Sequence, residues 1–146
     1  MLKSLKIKNY ALIRKVELDF SKGMTVITGE TGAGKSIILG ALGLILGKRA
    51  DSKSLFNPEK KCVVEASFML KDDRLKSFFK AHELDYEKET IIRRELLPSG
   101  KSRSFINDSP VNLKTLGQLS AFLIDLHQQF DTLDIHQIDF HVQVVD

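Results

Sequence analysis

The sequence predicts an α/β fold, a mixed β-sheet gathered around a phosphate-binding helix with an antiparallel β subregion beside it. Three observations carry this. The β-branched run "MTVIT" (Met24 to Thr28) leads directly into the glycine-rich "GETGAGKS" and then an apolar, helix-length segment. Two N-terminal segments, "SLKIKNYAL" and "RKVELDF", alternate apolar and polar residues with period two. Finally, "TIIRREL" and "SRSFIND" flank "LPSGK", where Pro98 and Gly100 supply hairpin turn chemistry.

Taken in order, the two alternating segments read as strands with one buried face. "SKG" (Ser21 to Gly23) is a turn, and "MTVIT" is a central strand buried on both sides. Ser36 to Leu46 is expected to be a helix, stopped by Gly47 at C′ with Lys48 and Arg49 near its negative end. "RADSKSLFNPEKK" is polar and holds Pro58, so it is a loop. "CVVEASFML" is a strand and "DDRLKSFFKAH" a short amphipathic helix opened by acidic residues. "SPVNLKTLGQLSAFLIDLH" begins as a loop and becomes helical near Asn112. It is expected to end as a strand around Phe122 to Leu126. In the last segment, Ile135, Ile138, Val142 and Val145 have coiled-coil seam spacing, and no capping Gly or Pro ends the pattern, so a longer parent chain is expected.

The 146 residues suffice for one domain with a real core, and 42% hydrophobic with 28% charged content is ordinary for a globular protein. The longest apolar stretch, Ile37 to Leu46, is broken by Gly40 and Gly43 and is too short to span a bilayer. "MLKSLKIKNY" has no continuous apolar segment, so no signal peptide is read. The single Cys62 forms no internal disulfide and fits a reducing cytoplasm. Charge is uneven: residues 1–50 carry nine Lys/Arg against three Asp/Glu, and the remainder thirteen against sixteen. A basic first third suits contact with phosphate polyanions, or is simply a solvated face.

Gly29, Gly34, Lys35 and Ser36 satisfy the pattern G-x-x-x-x-G-K-[ST] in full. Glycines let the backbone curl so that successive N–H groups point at phosphates. Lys35 would reach the β- and γ-phosphates, Ser36 would offer its hydroxyl to Mg²⁺, and the helix N-terminus adds its dipole. Hydrolysis also needs an acidic residue at the end of a neighbouring apolar strand. The one eligible run is "AFLID", ending at Asp125, with no second carboxylate after it. The favoured alternative is that Asp125 closes a core segment ahead of a polar loop, "HQQ" (His127 to Gln129). His127, His136 and His141 lack the Cys or carboxylate spacing of a metal site. Arg93, Arg94, Lys101 and Arg103, on or near the hairpin, would meet DNA or a partner lobe, or merely be solvated.

Residues 1–50 resemble the opening of the RecN family, bacterial DNA repair ATPases related to SMC proteins and more distantly to ABC-type ATPases. "TGETGAGKS" is the narrower mark, because other SMC-like proteins usually carry an Asn-Gly-Ser loop. "GKSRSFINDSPV" and "LIDLHQQFD" also resemble RecN segments. The resemblance implies a P-loop NTPase head of ABC/SMC type, assembled from both ends of a long chain joined by an antiparallel coiled coil. The N-terminal lobe brings the P-loop and a Q-loop glutamine. The C-terminal lobe brings the signature motif, the Walker B acids and the switch histidine. No Leu-Ser-Gly-Gly segment and no strand ending in Asp-Glu occur here, so the match is to the N-terminal lobe.

The same resemblance implies ATP and Mg²⁺ as cofactors. Gly29, Glu30, Thr31, Gly32, Ala33, Gly34, Lys35, Ser36 and Ile37 would hold the nucleotide, and Gln129 would touch Mg²⁺ and the attacking water. Gln128 departs from the family's usual Gly. Residues 1–130 would form the lobe and 131–146 the start of the coiled-coil arm. Expected partners are the C-terminal lobe, a second head, and DNA through the full-length protein, with no membrane. The site would be the bacterial cytoplasm, at the nucleoid. ATP would act as glue for head engagement and hydrolysis would release it, in double-strand break repair and recombination. The chain alone would bind ATP and hydrolyse it poorly. The competing expectation is a self-contained P-loop phosphotransferase with Asp125 as its Mg²⁺-side acid. A third, an interaction module that has lost nucleotide binding, fits badly with intact Lys35 and Ser36.

Overall fold

The computed structural model describes residues 2–19, 31–49, 55–70 and 74–134, with backbone alone at 31–36 and 124–134. The strands are β1 (Leu2–Tyr10), β2 (Ile13–Asp19), β3 (Cys62–Met69), β4 (Glu89–Leu96), β5 (Ser102–Ile106) and β6 (Ser109–Val111). The helices are α1 (Thr31–Ile45), α2 (Arg74–Ala81) and α3 (Leu113–Asp134).

The strands form one sheet in the order β2-β1-β3-β4-β5-β6, and every pairing among the described residues is antiparallel. The expected antiparallel subregion is therefore present. "MTVIT", which would make the sheet mixed, lies outside the described residues, as does the "SKG" turn.

Register explains the core. Val16, Ile7, Val64, Arg94 and Ser104 lie in one row across five strands, and Leu18, Leu5, Ala66, Ile92 and Ile106 in the next. All ten are buried, as alternation demands of a sheet with one covered face. Helix α1 lies over this face and buries Ile38, Ala41, Leu42, Leu44 and Ile45 in the same cluster. Each large aliphatic contributes roughly 2 kcal/mol of transfer energy. Leu75 and Phe79 from α2, and Leu116, Leu119 and Leu123 from α3, complete the core.

Termini follow local chemistry. Gly47, at φ +96°, ends α1: its N–H donates to the Leu44 carbonyl at 3.2 Å and the Lys48 N–H to Gly43 at 3.0 Å. This is the paired closure of a Schellman stop, as the sequence predicts. Asn112 caps α3, its Oδ1 accepting from the Thr115 N–H at 2.8 Å. The β4–β5 hairpin turns through Gly100 at φ +92°.

Two expectations are corrected. Phe122 to Leu126 is helix, part of α3, and not a strand. Leu116, Leu119, Ser120 and Leu123 are buried at three- and four-residue spacing, so helical periodicity governs a run whose short apolar stretch looked strand-like. His127, Gln128 and Gln129 accordingly lie within the α3 helix and not in a loop beyond a strand. In addition, α1 begins at Thr31, ahead of the expected Ser36, so its first turn is made of the motif's own residues.

Candidate functional site

Of the predicted nucleotide-binding residues, Thr31, Gly32, Ala33, Gly34, Lys35 and Ser36 form the first turns of α1. Ile37 is half-buried against the core, while Gly29 and Glu30 lie outside the described residues. The first four N–H groups of a helix have no intrahelical acceptor, and here they belong to Thr31 through Gly34. Such a terminus offers both donors and a positive dipole end to an anion. The donor set fits a phosphate-bound divalent cation: one hydroxyl, Ser36, directly follows one ammonium, Lys35.

What fixes this helix on the sheet is better defined. Arg94 is 1% exposed. Its Nη1 donates to the carbonyls of Leu44 at 2.8 Å and Lys48 at 2.9 Å, and its Nη2 to Ser102 Oγ at 3.3 Å. A cation under the carboxyl end of α1 adds a donor to the terminal carbonyls and opposes the negative dipole end. Burial lowers the Arg94 pKa from its usual range, yet guanidinium remains charged. Beside it, burial pushes the Cys62 thiol up to about 12, with Arg94 acting in the opposite direction. Cys62 is thus a protonated core residue and no nucleophile.

The middle of α1 is held by close approach. A Cβ on Gly40 would stand 2.6 Å from Tyr10 Oη, so glycine lets the Tyr10 hydroxyl lie against α1 without shifting. Tyr10 is raised above its ordinary pKa, first by burial and then by Cys62.

The hairpin cations separate. Arg94 is internal, which rules it out as a DNA or lobe contact. Arg93 pairs with Asp108 at 3.0 Å and Glu95 at 3.5 Å, and its guanidinium lies 4.3 Å from the Phe105 ring centroid. Arg103 reaches Glu95 at 3.8 Å, whereas Lys101 is exposed at the hairpin tip. Alternation could have revealed Arg94, since Ile92 and Leu96, two residues either side, are core.

Asp125 lies inside α3 and not at a strand end, so the position required of a strand-end magnesium acid is lost. Gln129 shares that helix.

The chain matches a family model described as the AAA domain over residues 4–144. It is similar to the DNA repair protein RecN of Vibrio cholerae serotype O1, at 44% identity over 100% of this chain and 26% of the relative. It is also similar to RecN of Bacillus subtilis strain 168, at 36% identity over 100% of this chain and 26% of that protein. The chain therefore spans about a quarter of the length of the curated relatives it matches. Among solved structures, an SMC ATPase from work on ATP-driven dimerization and DNA-stimulated activation shares 27% identity at TM-score 0.62. That match covers 83% of this chain and 79% of the other. RecF bound to ATP, at 20% identity and TM-score 0.54, covering 76% of this chain and 27% of the other, shares the fold.

Proposed function

Because the chain belongs to the AAA domain family, as an SMC-like head lobe of RecN type, we propose that it binds Mg-ATP through the first turns of α1 and acts in DNA repair. The observation that supports this most directly is that Thr31 to Ser36, within a complete phosphate-binding motif, open a helix tied to the sheet at its far end by Arg94. Family membership implies ATP with a divalent metal. Lys35 is the residue for the β- and γ-phosphates, Ser36 for the metal, and the N–H groups of Thr31 to Gly34 for the phosphate oxygens.

Bound metal would draw charge from the bridging phosphate oxygens. Within this chain Lys35 neutralises phosphate, and Gly29, Glu30 and Ile37 complete the contact set. Gln129 orients water at the γ-phosphate when a C-terminal lobe and a second head close the site. ATP binding then engages two heads and hydrolysis parts them. DNA is met through the full-length protein, in the cytoplasm, at the nucleoid. Residues 131–146 begin the coiled-coil arm. A self-contained phosphotransferase is not supported, since Asp125 sits within a helix.

The test is Mg-ATP binding and turnover by this chain, alone and with a RecN C-terminal lobe in trans. Binding without turnover, loss of binding in Lys35→Ala, and turnover on adding the lobe are expected. Robust turnover by the chain alone would overturn the reading.

A further inference from the structure

The β1–β2 hairpin and the loop at 56–61 enclose a cleft of about 780 Å³. Five cations line it, Lys8, Arg14, Lys15, Lys60 and Lys61, and no carboxylate does so among the described residues. Two carboxylates touch these cations from outside the lining: Glu17 reaches Lys15 at 3.6 Å and Glu95 reaches Lys61 at 3.4 Å. Lys8, Arg14 and Lys60 have no acidic partner among the described residues.

The arrangement works against the fold. Lys8 and Lys15 stand directly opposite in the β1–β2 register, and like charges in that position destabilise a strand pair. Sequence offers easy relief, because an acid at either position would stand opposite a cation, as Glu17 stands opposite Lys6 in the register. At the same time the walls are fixed. Asn9 Nδ2 donates to the carbonyls of Asn57, Lys60 and Lys61 at 3.1, 2.9 and 3.3 Å, and Asn9 Oδ1 accepts from the Asn57 N–H at 2.6 Å. This clamp holds the loop cations beside the strand cations before any ligand arrives, which lowers the ordering cost of binding.

Phe56 adds an aromatic face. It is 40% exposed, and the Arg14 guanidinium lies 5.5 Å from its ring centroid. An acid-free cluster of cations concentrates positive potential. Paired with an exposed ring, it matches a ligand that carries regular phosphates and flat, unpaired bases.

We propose that this cleft binds a single nucleic-acid strand, with Lys8, Lys15, Lys60 and Lys61 on the phosphates and Phe56 stacking on a base. The proposal goes beyond the nucleotide site and does not depend on it. Duplex is a poorer ligand, because its bases are already stacked and paired.

The test is fluorescence anisotropy of a labelled oligothymidine of about 30 nucleotides with this chain, between about 50 and 200 mM salt. In Lys8→Gln/Lys15→Gln the slope of log affinity against log salt should shrink by about 1.4, two single-strand phosphate contacts. Affinity should also fall about tenfold or more, while Lys101→Gln, at the hairpin tip, matches the parent. Phe56→Ala should lose roughly five- to hundredfold on the strand, and less on a duplex of equal length. Circular dichroism and Mg-ATP affinity are read on every variant. Strand binding lost with both unchanged supports the cleft. Lys35→Ala should keep strand binding, which separates failure of this proposal from failure of the nucleotide reading. Absent strand binding, an unchanged salt slope in the double Lys variant, or duplex bound as tightly as strand would overturn it.

Discussion

Arg94 and Leu44 join sheet to helix: a buried guanidinium on β4 donates at 2.8 Å to a carbonyl in the last turn of the helix that opens with the phosphate motif. The second bond, to Lys48 at 2.9 Å, lies just past the helix stop. No carboxylate is needed, because helix carbonyls and a serine hydroxyl take the place of a counter-ion. Arg94→Ala removes the donor these three acceptors share, although the Leu44 carbonyl keeps the Gly47 N–H at 3.2 Å. Stability should fall by about 2–3 kcal/mol, lowering the melting temperature by roughly 5–10 °C for a domain of this size. Urea denaturation measures it, and a loss below about 1 kcal/mol would show that water replaces the guanidinium at little cost.

Gly40 tests the contact between α1 and β1. Alanine is favoured over glycine inside a helix by about 1 kcal/mol, but its Cβ would stand 2.6 Å from Tyr10 Oη. Gly40→Ala alone should therefore be neutral or destabilising. In a Tyr10→Phe background the next atom is Cζ at 3.6 Å, an ordinary contact. There the same substitution should stabilise by about 1 kcal/mol. Equal effects in both backgrounds would mean that the ring moves aside freely.

Glu89, the first residue of β4, gives a pH prediction. A hydrogen bond from Ser67 Oγ at 2.8 Å, then Lys3 at 3.4 Å, hold its carboxyl below the ordinary 4.5. A depressed folded pKa means that its contribution is present above about 4.5 and is lost as pH falls through the folded value. NMR titration should place the Glu89 midpoint below 4.5 in the parent, and moved back toward it in Ser67→Ala. An unmoved midpoint would assign the shift to Lys3 alone.

Much of this was legible because period two and period 3.6 each report a single buried face. β1 to β5 and the Gly47 stop follow from residues within each segment, and so does the start of α3 at Asn112. The run "AFLID" misled because a short, mostly apolar run suits a strand or a helix, and only Leu116 and Leu119 upstream reveal its phase. β6 went unread although its signal was present. Asn107 and Asp108 adopt φ +48° and +66°, the two-residue turn that closes a tight hairpin onto Ser109 to Val111. The cleft was beyond local reading, since Asn9 meets its loop from 48 to 52 residues away. The charge bias of residues 1–50 hinted at three of its five cations without placing them.

Asn9 makes the last prediction, through its clamp on that loop. Its backbone sits at φ +58°, a region that Asp tolerates as well as Asn. Asn9→Asp therefore changes the side chain without straining the chain. The new carboxyl must face the carbonyl oxygens of Asn57, Lys60 and Lys61, which a neutral acid can approach with a proton and an anion cannot. These carbonyls push its folded pKa above the roughly 3.9 of a free aspartate, against the pull of the Asn57 N–H and of the five cations that line the cleft. A raised folded pKa makes the variant's stability fullest below about pH 4, and that stability declines as pH rises toward the folded value. The deficit against the parent should reach about 2–3 kcal/mol at neutral pH and shrink on acidification, read as urea midpoints across that range. A deficit independent of pH would mean that the loop swings away and leaves the new carboxylate hydrated, with the clamp contributing nothing to the cleft's shape.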